Sequence, residues 1–187
     1  MSKKLKNSIF LLIICLFLQF FNNNALQKTY AFDLKTSAES MVTIEAKTNR
    51  ILYAKDENKK LPMASTTKIL TAIVAIENCD DLDKKHKIPK ESVGVEGSSI
   101  YLRAGEHLSI RELLYGLMLR SGNDSAVAIA IIISGSVEKF VGLMNDYCKK
   151  LELKNTNIVT VNGLHDDNHY TTAYELAKIT SYALSNE

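Results

Sequence analysis

Across 187 residues there is no tryptophan, and the two prolines and eight glycines stand singly. With no repeat and no low-complexity tract, nothing reads as a Pro- or Gly-rich linker or a disordered array. Three cysteines are too few for a disulfide-dense scaffold, and Cys79 and Cys148 are read as unpaired thiols. A surplus of charge is lacking too: 23 basic and 21 acidic residues leave +2, which excludes the basic surface by which proteins hold nucleic acid. The longest apolar run, "IFLLIICLFLQFF" from Ile9 to Phe21, is short of the roughly 20 residues a membrane-spanning helix needs.

That run follows Lys3, Lys4 and Lys6, the arrangement of a signal-peptide core. Small-residue cleavage sites stand after Ala25 and after Ala31. Residues 1–31 are therefore expected to be a signal peptide and residues 32–187 the exported, extracytoplasmic part. Removing residues 1–31 takes away four lysines and no acid, so the formal charge moves from +2 to −2. Cys15 is preceded by Ile14, where a lipoprotein signal wants a small residue, and no lipid anchor is expected.

The exported part, 46% hydrophobic over the whole chain, suits one globular domain. "MVTIEA" and "RILYAK" alternate apolar and polar residues and predict a β-hairpin. A helix is predicted from about Ser65 to Glu77, with Ile69, Leu70, Ile73, Val74 and Ile76 on its apolar side. Residues 80–90 read as a charged loop, and "SSIYLRAGEHLS" as two short strands about Gly105. "SIRELLYGLML" opens with a capping box, Ser109 and Glu112. "SAVAIAIIIS" is apolar all round and predicts a helix in the middle of the core. Two amphipathic helices follow, "VEKFVGLMNDYCKKL" and "TAYELAKITSYAL", the second capped by Thr172 and Glu175.

Within this frame "STTK" puts Ser65 and Lys68 three residues apart, on one helical face, where a hydroxyl and an amine can touch. The same spacing is also that of an ordinary helix start, and it recurs as "SVEK", Ser136 to Lys139. A second short motif, "SGN", holds Ser121, Gly122 and Asn123 at the entry to the buried helix, 56 residues after Ser65. Its bland reading is a turn with Asp124 capping the next helix. Two histidines and two aspartates cluster in "HDDNH", His165 to His169, but a polar loop leading to the Thr172 cap accounts for them and no metal is expected. His86 and His107 read as solvated loop residues.

Taken together, "PMASTTKILTA", "GSSIYLRAGEHLSIRELLYGLMLRSGNDSAVAIA" and "NGLHDDNHYTTAYELAKI" resemble the serine D-alanyl-D-alanine carboxypeptidases, or low-molecular-mass penicillin-binding proteins, of the sporulation-associated Gram-positive branch. The resemblance implies an α+β fold of the β-lactamase/DD-peptidase (transpeptidase-like) type, helices packed on an antiparallel sheet. It implies that Ser65 is the nucleophile, Lys68 its base and Ser121 a proton relay, with Asn123 and Gly122 in the substrate-binding part of the site. The implied partners are peptidoglycan stem peptides ending in D-Ala-D-Ala and β-lactam antibiotics, with no cofactor.

The family also supplies a Lys-Thr-Gly strand, and no K-[ST]-G occurs in the 187 residues. The expectation is thus an N-terminal part of the peptidase domain, inactive by itself, with its remaining strands and any C-terminal membrane-anchoring segment absent. Two other readings remain at this point. A class A-like β-lactamase shares S-x-x-K and S-x-N but needs a deacylating glutamate, for which Glu152 is the candidate; a non-catalytic β-lactam or cell-wall binding module would keep the site and lose the chemistry.

Overall fold

The computed structural model describes residues 35–186. Residues 35–37 belong to a separate N-terminal unit and form no helix or strand there; the signal-peptide expectation for residues 1–31 lies outside the described residues. The unit from Ala38 onward holds every helix and strand among the described residues.

The predicted hairpin is present as β1 (Met41–Ile44) paired antiparallel with β2 (Ile51–Lys55), with a register irregularity between Thr43 and Ile44. After β3 (Leu61–Pro62) a 3-10 turn, Ala64–Thr66, leads into α1 (Thr67–Glu77). Next come β4 (Lys85–Lys87), β5 (His107–Ser109), α2 (Ile110–Leu119), α3 (Asn123–Ser134), α4 (Val137–Lys150), β6 (Tyr170–Thr171) and α5 (Ala173–Leu184). Strands pair only as antiparallel twos, β1 with β2, β3 with β6 and β4 with β5.

Helix α1 is the axis of the fold, packing against each of the other four helices. It is buried almost continuously from Thr67 to Ala75, and Leu70, Val74, Leu113, Ile129, Phe140 and Ile179 interlock around it with essentially no exposed surface. The sequence pattern pointed to α3 as the most enclosed helix. Instead Ile131, Ile132 and Ile133 are half-buried, in the last turn before the left-handed Gly135 ends the helix.

Several local expectations are corrected. Residues 98–104 form no strand, because the Asp124 carboxylate draws in the backbone N–H groups of Ile100 and Leu102. The partner of β5 is β4, inside the stretch read as a charged loop, so His86 and His107 lie on a ladder. On α2, Leu113 and Leu117 are buried while Met118 is half-exposed.

The cap of α5 also departs from the predicted box. Thr172 accepts from the Glu175 N–H as expected, but the Glu175 side chain does not reach back. It is buried, 6% exposed, and accepts from Lys154 N (2.9 Å), Asn155 N (2.9 Å) and Thr156 Oγ1 (2.6 Å). One carboxylate thus fastens the loop after α4 to the start of α5. Glu175→Gln, which presents an amide donor to these donors, is expected to lower the unfolding free energy by about 1–3 kcal/mol in urea titration.

Candidate active site

Ser65 stands exposed in the 3-10 turn, not as the N-cap of α1, and Lys68 lies in the first turn of α1, 2% exposed. The Lys68 Nζ lies 3.1 Å from Ser65 Oγ, 2.7 Å from Asn123 Oδ1 and 2.7 Å from the Asn162 carbonyl oxygen. The amide of Asn123 is oriented without ambiguity: its Nδ2 donates to the Glu96 carbonyl at 2.7 Å, so its oxygen faces the lysine. Among the described residues no carboxylate shares this pocket of bonds, and burial pushes the Lys68 pKa below the ordinary lysine value.

A neutral amine has two N–H donors and one lone pair. Two neighbours of Lys68 are carbonyl-type oxygens that can only accept, and the third, Ser65, is a hydroxyl that can donate. The geometry therefore fits an amine whose protons are occupied by Asn123 and Asn162 and whose lone pair meets the Ser65 O–H.

Asn123 opens α3, and the loop before α2 is wrapped around that helix start. Asn123 N donates to Ser98 O at 2.7 Å, and the buried Asp124 carboxylate accepts from Ser99 Oγ (2.7 Å), Leu102 N (3.1 Å) and Ser125 N (2.9 Å). Asp124 is thus an organiser of the 98–102 loop; the N-cap position belongs to Gly122, which has no side chain to cap with. Gly122 is closely packed, since a Cβ there would lie 2.9 Å from both Asp124 Oδ1 and Ser125 Oγ and one of these side chains would have to shift. Its N–H is given to Gly116 O. Ser121 sits in the left-handed region, φ 54°, and its hydroxyl makes no hydrogen bond to Ser65 or Lys68.

Sequence reasoning brought out Ser65, Lys68 and Asn123 and passed over the segment that closes the site from the other side. Lys68 grips the main chain at Asn162, and Thr71 Oγ1 donates to Val161 O at 2.7 Å. Gly163, φ 83°, lies flat against the turn that carries Ser65: a Cβ there would fall 1.8 Å from Ala64 O. The sequence signal was the single glycine in "VNGL", whose meaning depends on what it touches. The cluster "HDDNH" splits, with His169 buried and His165 exposed, and no group of three metal-ligating side chains gathers among the described residues.

The chain matches the family described as D-alanyl-D-alanine carboxypeptidase over residues 25–187. It belongs to that family. A curated relative, the D-alanyl-D-alanine carboxypeptidase DacF of Bacillus subtilis, is 38% identical over 159 residues, covering 83% of this chain and 41% of its own length. Among solved structures, DacD of Francisella tularensis superposes with a TM-score of 0.79 at 31% identity, over 83% of this chain and 39% of that one. Penicillin-binding protein 6B of Escherichia coli gives 0.79 at 31%, over 85% and 54%. The fold is that of the DD-peptidases, and the chain spans about 41% of the length of the Bacillus relative.

Two tests follow from this carboxypeptidase-family geometry. Gly163→Ala combines a forbidden contact with a left-handed φ and should cost more than about 1 kcal/mol of stability on chemical denaturation. Lys68 binds its proton less tightly folded than unfolded, so its contribution to stability is full above its ordinary pKa of 10.5 and is lost as pH falls towards the depressed folded value. The unfolding free energy of the wild type minus that of Lys68→Met should therefore climb between pH 7 and 10. A flat difference in urea titrations across that range would mean the folded amine carries its charge.

Proposed function

We propose that this chain carries the acylating half of a serine D-Ala-D-Ala carboxypeptidase site, acting outside the cytoplasm on peptidoglycan stem peptides and trapped by β-lactams. The observation that carries the reading is the three-way environment of Lys68: two acceptors, one hydroxyl and no acid. In this reading Lys68 Nζ takes the Ser65 proton as Ser65 Oγ attacks the carbonyl of the penultimate D-alanine. The C–N bond then breaks, the terminal D-alanine leaves with a proton relayed through Ser121, and water hydrolyses the Ser65 ester.

Asn123 holds the lysine through Oδ1 and, through Nδ2, the main chain at Glu96. The Ser65 N–H, which makes no backbone hydrogen bond, supplies one oxyanion donor at the N-terminal end of α1. In the family the second donor and the carboxylate-binding group come from the K-[ST]-G strand, which these 187 residues do not contain. The β-lactamase reading loses its deacylating acid, because Glu152 is exposed in a left-handed turn beyond α4 with no link to Ser65.

Fluorescent penicillin tests the proposal on the protein as its gene encodes it. Covalent labelling should disappear in Ser65→Ala. Lys68→Arg should fold and lose at least about a hundredfold in acylation rate, since a guanidinium cannot shed its proton near neutral pH. Ser136→Ala should label normally, because Ser136 only caps α4 by accepting from Lys139 N. Persistent labelling of Ser65→Ala would remove Ser65 from the role of nucleophile.

A further inference from the structure

His169 is 3% exposed and hydrogen-bonds to neither Lys68 nor Ser65, yet both nitrogens of its ring are committed. Nδ1 accepts from Val159 N at 3.0 Å, which places the ring proton on Nε2. Nε2 lies 2.8 Å from Thr67 Oγ1 and donates to it. The Thr67 hydroxyl, its lone pair so engaged, donates onward to Ala64 O at 2.7 Å. Burial lowers the His169 pKa, in keeping with a neutral ring that accepts a backbone N–H.

The end of this relay is the peptide group joining Ala64 to Ser65. Ala64 has φ 44°, a left-handed conformation that a residue with a Cβ adopts only under constraint. Peptide planarity makes the carbonyl and the following N–H point opposite ways. With Ala64 O drawn inward by Thr67 and pressed against Gly163, the Ser65 N–H is turned outward, where it has no backbone partner.

We propose that His169 is a positioning residue for the acyl-transfer reaction, aiming the Ser65 N–H at the developing oxyanion through Thr67 and Ala64 O; this rests on the reading of Ser65 as nucleophile. Removing the imidazole frees the Thr67 hydroxyl to turn away, leaving Ala64 O held by the Thr67 backbone N–H alone and the strained peptide less firmly fixed. The side chain of Ser65 and its contact with Lys68 are left in place. The effect therefore falls on the transition state and on the acyl-enzyme, and ground-state binding is spared.

The experiment measures β-lactam acylation kinetics and the infrared carbonyl stretch of the penicilloyl-Ser65 ester, which falls in wavenumber as hydrogen bonding to the ester oxygen strengthens. His169→Ala is expected to slow the acylation step by about tenfold or more with non-covalent binding unchanged, and to raise the carbonyl band. His169→Gln, whose amide N–H can stand where Nε2–H stood, should recover much of both. Thr67→Val should reproduce the loss with the imidazole intact, and the double variant should be no worse than either single one. If His169→Ala fails to fold, Thr67→Val decides the matter by the same two readouts. Wild-type acylation rate and an unshifted carbonyl band in a folded variant would overturn the inference while leaving Ser65 as nucleophile. A wild-type protein that is never acylated at Ser65 would overturn both.

Discussion

A buried amine without a counter-ion is the constraint around which the molecule is arranged. Lys68 sits in the first turn of the central helix, cut off from water, with no acid to neutralise it. An ammonium there is costly, and an amine there is useful. Its acceptors come from the start of α3 and from the main chain at Asn162, so residues 55 and 94 positions away are fixed by one nitrogen. The surrounding helices supply the rigidity that keeps these distances short.

Around that nitrogen the backbone is held in conformations it would not choose. Ala64, just before one motif of the site, and Ser121, the first residue of the other, have positive φ without being glycine. Their support comes from polar groups one layer out. Asp124 gathers the 98–102 loop that covers the start of α3, while Thr67 and Thr71 tie α1 to the segment carrying Asn162 and His169. Hydrogen-bonded polar residues hold the site's geometry, and the apolar core holds the helices.

How far the sequence disclosed this depends on the range of the interaction. The hairpin, the Ser109–Glu112 box and the helices are encoded by neighbours, and they stand where periodicity put them. The pair Ser65 and Lys68 was legible for the same reason, being one helical turn apart. What stayed hidden was set by distant partners: the β4–β5 pairing, the diversion of Glu175 from its own cap to the 154–156 loop, and the role of Asp124. Asn162 contributes a carbonyl that any residue would have carried, so no side-chain pattern announces it. His169 looked like half of a polar cluster because its partner, Thr67, is 102 positions away.

Those long separations also order the site in time. The contacts between Lys68 and Asn162, and between Thr67 and His169, close loops spanning most of the domain, which are among the slower contacts for a chain to form. Helix α1 can take shape early from local preference, but the enclosure of Lys68 and of the turn at Ser65 is completed only when the 160–169 segment docks. Synthesis delivers Thr67 about a hundred residues before His169, its hydrogen-bond partner. In a growing or partly folded chain Lys68 stays hydrated, and its water-excluded surroundings arrive together with tertiary structure.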